Sequence, residues 1–152
     1  MQLTSSAFKD GEAIPDKYGQ NFENINPPLM IIDAPEGAVS FALIMDDPDV
    51  PAGAGVPVWD HWVVFNLSPN VCDIPEHWSV EGIRGKGTRG ELGYGGPRPP
   101  DKEHRYFFTV YAIDILLDLS EGATKVECID AMADHVLEKA ELMGRFAPTV
   151  SL

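Results

Sequence analysis

Asp46, Asp47 and Asp49 crowd together at the end of an apolar run, and Trp59, Asp60, His61 and Trp62 follow a turn rich in proline and glycine. Carboxylates and an imidazole around a stiff turn can hold a metal ion, pass a proton, or aim a histidine at an anion. A second histidine, His104, stands beyond another such stretch, "YGGPRPPDKEHRY". For a metal, the spacing fits neither HExxH nor an EF-hand loop, and prolines occupy positions where a calcium loop needs free carbonyls. For covalent catalysis, there is no GxSxG elbow and no serine beside a histidine.

An anion pocket suits these residue types best. His61 and His104 can each donate to an oxyanion, and a carboxylate behind them fixes the ring and raises its pKa. Tyr94, Gly95 and Gly96 can turn successive backbone N–H groups into a concavity. Pro51 and its fellow prolines stiffen the rim, while Trp59 and Tyr106 supply a desolvating wall. His77 and His135 have no such company and are read as ordinary side chains. The run from Gly85 to Gly90 satisfies GxGxxG, yet glycines and prolines follow it where a dinucleotide site needs a helix.

The elements that must position these residues are mostly strands. Positions 39–45 and 61–67 are short apolar runs bounded by turn residues, and 105–114, "RYFFTVYAID", reads as a central strand buried on both faces. Weaker strands are expected at 3–8 and 29–32. One helix is expected, opening with a capping box at Thr124 and Glu127. Ile129, Met132, Val136, Ala140 and Met143 continue a helical apolar spacing toward a terminal Gly144. The turn-rich region 66–105 is long enough to suggest a functional loop. Many strands with one late helix predict a mainly β, α+β fold of two antiparallel sheets, as one domain over 1–152.

The charge narrows the partners. Eleven Lys and Arg oppose 24 Asp and Glu, for a net charge of −13, which repels nucleic acid and anionic membrane at long range. No window approaches the length of a transmembrane helix. The amino terminus has neither the basic nor the apolar region of a signal peptide, so a cytoplasmic protein is expected. Cys72 and Cys128 form no CxxC pattern and are read as reduced thiols.

Several motifs occur in order along nearly the whole chain: Leu3-Thr-Ser-x-x-Phe8, Gly11-x-x-Ile-Pro15, Asn24-Ile-Asn-Pro-Pro-Leu29, Asp47-Pro-Asp-Val-Pro51, Trp59-x-His61, Gly95-Gly-Pro-x-Pro-Pro100, His104-Arg-Tyr106 and Ala140-Glu-Leu-x-Gly-Arg145. In these the chain resembles the phosphatidylethanolamine-binding protein, or Raf kinase inhibitor-like, family, and in particular its bacterial and archaeal YbhB/YbcL-type branch. It departs from that branch at Ile31, where a tryptophan is usual, and at Arg98, where small residues are common. Its end, "APTVSL", is not the long C-terminal helix of eukaryotic relatives.

The resemblance implies a Greek-key sandwich and a pocket for phosphate-like anions and phosphoryl head groups, lined by Asp47, Trp59, His61, Gly96, His104 and Tyr106. Asp47 would orient a histidine, His61 and His104 would donate to the anion, and Gly96 would offer its N–H. Asp49 and Arg105 would brace the loops. No cofactor and no catalysis are expected. The implied partner is a small phosphorylated molecule or a phosphorylated protein residue; the alternative is a regulator that inhibits a kinase or protease through its surface. A homodimer is compatible with the branch.

Overall fold

The computed structural model describes residues 1–149; positions 150–152, the end of "APTVSL", lie outside the described residues. Among the described residues eight strands form two antiparallel sheets. The smaller holds β1 (Gln2–Thr4), β2 (Leu29–Ile32) and β5 (Asp73–Ile74) in the order β1-β2-β5. The larger holds β3 (Ser40–Asp47), β4 (Trp59–Leu67), β6 (Ile83–Arg84), β7 (His104–Ile113) and β8 (Val136–Phe146), in the order β6-β4-β3-β7-β8.

Alternation along the strands decides what lies between the sheets. Phe41, Leu43 and Met45 of β3 face Phe108, Val110 and Ala112 of β7, and Leu29, Ile31 and Ile74 close over them. Each large side chain of this kind contributes about 1.5–3 kcal/mol on burial. The opposite face of the larger sheet carries a second cluster, in which Ala42, Val63, Phe65 and Ile113 meet Cys128 and Met132 of the helix. Phe107 and Tyr111 on that face are only half-buried, so β7 is interior to its sheet without being fully covered on both sides, because the one helix is too short to cover the whole face.

The helix α1 (Lys125–Met132) opens on the expected capping box: the Glu127 N–H donates to Thr124 Oγ1 at 3.3 Å, and the Thr124 N–H donates to Glu127 Oε1 at 3.2 Å. It stops far short of Gly144. Asp134 turns to φ +67, and the chain from Val136 onward pairs with β7 from Ile113 back to His104. The helical apolar spacing across 129–143 is therefore a coincidence, overridden by strand pairing. Ala140, Leu142, Gly144 and Phe146 are buried while Glu141 is exposed, a period of two. Gly144 is a packing position instead of a helix cap, since a Cβ there would collide with Ile14 and crowd Phe8 at 2.8 Å.

The first strand ends at Thr4 instead of reaching Phe8, and the long 66–105 region contains the two-residue strands β5 and β6. Cys72 is exposed, Cys128 is buried, and both are free thiols. Among the described residues no helix is long and apolar enough to cross a membrane.

Candidate functional site

The site lies at one end of the sandwich, where β3 finishes and β7 begins beside it. Asp47 and His104 fall on the inner face of these neighbours, so their side chains meet. The His104 Nδ1–H donates to Asp47 Oδ2 at 2.6 Å, with side-chain exposures of 1% and 4%. The other Asp47 oxygen accepts the Asp49 N–H at 2.7 Å, which tightens the turn into the prolines. Asp49 in turn receives the backbone N–H, Nε and Nη2 of Arg105, each at 2.9 Å. That clamp holds the Asp49 carboxyl down at about 2 and ties the turn after β3 to the start of β7.

His61 reaches the same place through a bulge. Met45 pairs with Trp62, yet Asp46 pairs with Asp60, leaving His61 as an extra residue in β4. A bulge of this kind re-aims a side chain that strict alternation would send to the other face. Here it puts both His61 and Trp62 inward: the His61 ring meets Tyr106 edge-on at 5.2 Å, and Trp62 joins the core. Asp60 is left on the outer face beside Asp46. Lys125 Nζ sits 2.9 Å from Asp46 and 3.1 Å from Asp60, tying α1 to the back of the site.

The two histidines differ in protonation, and hydrogen-bond roles show why. His104 Nε2 lies 2.6 Å from Asp101 Oδ1, so both ring nitrogens face carboxylate oxygens that can only accept. His104 is therefore an imidazolium. Burial opposes its charge, but its bonds to Asp47 and Asp101 outweigh that and raise its pKa. His61 Nδ1 lies 2.8 Å from the Gly95 carbonyl, which fixes its proton on Nδ1. Burial lowers the His61 pKa, against the pull of the Gly95 carbonyl and of Asp47, Asp60 and Asp46. His61 is thus neutral at pH 7, with Nε2 a lone pair that has no partner among the described residues.

These side chains line a cavity of about 750 Å³, a size typical of small-ligand sites. Asp47, Pro51, Trp59, His61, Gly95, Gly96, His104 and Tyr106 are all on its wall. The expected donor roles change, however. The Gly96 N–H donates to Asn24 Oδ1 at 2.7 Å and the Gly95 N–H to the His61 carbonyl at 2.9 Å, so neither is left for an anion nest. Both nitrogens of His104 are engaged as well. What stays available is the Tyr106 hydroxyl, which has no partner among the described residues; burial and the Asp47 charge push its pKa up and keep it a donor.

The wall also carries residues that sequence reasoning passed over: Gln20, Asn21, Arg89 and Glu91. Arg89 sits within the GxGxxG stretch, where the glycines drew attention and the arginine did not. Arg98, a departure from the family pattern, lines the cavity too. Asp101 stands three residues before His104, a spacing that could have marked it as a partner. His77 is exposed, and His135 pairs with Asp114 at 2.8 Å away from the cavity, as ordinary side chains. Among the described residues no group of three or more His, Cys, Asp or Glu is arranged to hold a metal ion.

Known proteins share this framework. The family model for phosphatidylethanolamine-binding protein matches residues 4–147. A UPF0098 protein of Chlamydia muridarum is 48% identical over 147 residues, covering 96% of this chain and 98% of that one. A UPF0098 protein of Methanothermobacter thermautotrophicus is 43% identical, with the same coverage. A solved phosphatidylethanolamine-binding protein homologue from Chlamydia trachomatis superposes with a TM-score of 0.92 at 45% identity, over 95% of each chain. YbcL of E. coli superposes at 0.87 with 26% identity, over 97% of this chain and 98% of that one.

Proposed function

The chain belongs to the phosphatidylethanolamine-binding protein family, and from that premise we propose that its cavity binds a small phosphoryl-type anion without altering it. The observation that carries this reading is a convergence. Arg89, Arg98 and the Tyr106 hydroxyl meet on one cavity of a chain whose net charge is −13. Such a chain repels anions at long range, so an anion is held only where cationic and hydroxyl groups are concentrated. In this reading the His104 imidazolium, clamped by Asp47, is the fixed floor that orients Tyr106, whose ring stacks on it at 6.4 Å.

The phosphoryl group belongs to a free small molecule or to a phosphorylated residue of a partner protein; both present the same oxygens. An NMR titration of the four histidine rings with inorganic phosphate and phosphoethanolamine tests the reading. Shifts at His61 and His104, with His77 and His135 still, are the expected result. Silence at His61 would refute it.

The rim arginines give a second expectation. Both are exposed, so each contributes through water. Arg89→Gln and Arg98→Gln should each weaken phosphate binding by about threefold to fivefold at low salt, and by less as salt rises. Calorimetric titration at two ionic strengths measures this, and full affinity in the double variant would remove the arginines from the site.

A further inference from the structure

Resting on the anion reading, we infer that His61 selects phosphoryl groups that still carry a hydroxyl, and rejects oxyanions that have none. The ring is locked in one tautomer. Its Nδ1–H donates to the Gly95 carbonyl at 2.8 Å, and a carbonyl cannot donate in return. The nitrogen left for the cavity, Nε2, is a hydrogen-bond acceptor. A tetrahedral anion placed between Tyr106 and His61 therefore meets one donor and one acceptor. The Tyr106 hydroxyl donates to an ionised oxygen, and Nε2 accepts from a P–OH.

Hydrogen phosphate and the monoanion of a phosphomonoester meet both demands. Sulfate and phosphodiesters present only oxygen lone pairs, and facing Nε2 they either leave it unmatched or require a proton from solvent. In the first case nothing is transferred: the P–OH hydrogen stays on its oxygen and is shared with Nε2. In the second, one proton is taken up from the buffer, whose conjugate base stays in solution, and ends on Nε2, making His61 an imidazolium.

The surroundings set when that second case becomes easy. Asp47 faces His61 from β3, and Tyr106 and His104 face it from β7. Glu91 lies under the Gly95 loop, Asp46 and Asp60 lie on the far side of the sheet, and Arg89 and Arg98 stand at the rim. Three of these carboxylates favour a proton on His61, yet burial prevails and lowers its pKa. The ring thus stays an acceptor at neutral pH and becomes a donor only under acid conditions, below the ordinary histidine value of about 6.5. His104, already an imidazolium with both nitrogens engaged, cannot relax this demand.

Phosphate and sulfate near pH 7.5 make the test, because both are tetrahedral, chiefly dianionic ions there and differ in the hydroxyl. Phosphate should bind about tenfold to a hundredfold more tightly, the cost of a buried group left unmatched. The preference should shrink as the pH falls well below the ordinary histidine value and His61 gains its proton. Methyl phosphate at about pH 6 should outbind dimethyl phosphate for the same reason. His61→Gln, whose amide can donate, should bind the two inorganic ions about equally.

A ¹⁵N spectrum of the wild-type His61 ring keeps the test decisive if that variant fails to fold: in the phosphate complex Nε2 should remain unprotonated. Equal wild-type affinity for sulfate and phosphate at neutral pH, or a protonated Nε2 with bound phosphate, would overturn the selection while leaving anion binding intact. Binding of neither ion would overturn both.

Discussion

Replacing His104 by alanine should lower the unfolding free energy by about 3–5 kcal/mol, because it strands Asp47 as an uncompensated charge in the interior. The two side chains are 1% and 4% exposed, so solvent offers little relief. Asp47 also anchors the turn through the Asp49 N–H, and that turn loosens with it. The loss should be partly reversed in the double variant Asp47→Asn with His104→Ala, which removes the stranded charge. The sign of the pH dependence follows from the raised pKa of His104. Its contribution is complete below the unfolded value of about 6.5 and fades as pH rises through the folded value. Urea denaturation of wild type and variant should thus show a gap that narrows on the alkaline side. A gap below about 1 kcal/mol at pH 6 would mean the pair behaves like an exposed ion pair.

Gly96→Ala should be nearly as damaging, for a steric reason. A Cβ on Gly96 would run into the Tyr18 carbonyl oxygen and sit 2.9 Å from both Asn24 Oδ1 and the Gln20 nitrogen. Two of these three atoms are backbone and cannot rotate away. The 18–24 loop must move, breaking the Gly96–Asn24 bond of 2.7 Å and the bond from the Gln20 N–H to the Pro97 carbonyl of 3.0 Å. The cost should be about 3 kcal/mol, a fall in Tm of roughly 6–12 °C for a chain of this size. Phosphate affinity should fall as well, because Gln20 and Asn21 are part of the displaced wall. Gly53 is the control: it lines the same cavity, but a Cβ there meets nothing within 4 Å. Melting curves for Gly53→Ala and Gly96→Ala that coincide would refute the argument.

These two residues also show what the sequence made legible. The strands β2, β3, β4 and β7 announced themselves through apolar runs bounded by turn residues, because packing between two sheets requires that pattern. His61, His104 and Asp47 were legible as a group since buried ionisable residues need one another. Gly96 was legible as a special position, but for the wrong reason: it is small because the Tyr18 carbonyl presses on it, and its N–H serves Asn24. Which way an N–H points depends on a loop 72 residues away in the chain, and local sequence carries no record of that.

The last strand was misread for a related reason. The stretch from Leu137 to Met143 is rich in strong helix formers, and local propensity yields when a long partner strand is available. The alternation of Ala140, Leu142, Gly144 and Phe146 held the correct signal, masked by a competing helical spacing. Asp101 was hidden differently. The three-residue spacing to His104 allows the contact, but "PPDKEH" does not by itself say that the chain bends to bring that carboxylate onto His104 Nε2.

The Asp47–His104 contact joins residues 57 positions apart, and this separation bears on the order in which the molecule assembles. The turn between β3 and β4 closes a short loop, whereas β3 meets β7 only after a far longer excursion has been gathered in, at a higher entropic cost. The cavity floor then belongs to the late part of folding. An anion that needs the finished floor cannot hasten the search for the native chain; it binds the product and holds it, so it should slow unfolding while leaving the refolding rate unchanged. Stopped-flow traces with and without phosphate separate the two limbs, and a faster refolding limb would place the floor early instead. On this view the ligand acts as a latch on a completed structure, and never as a template for making it.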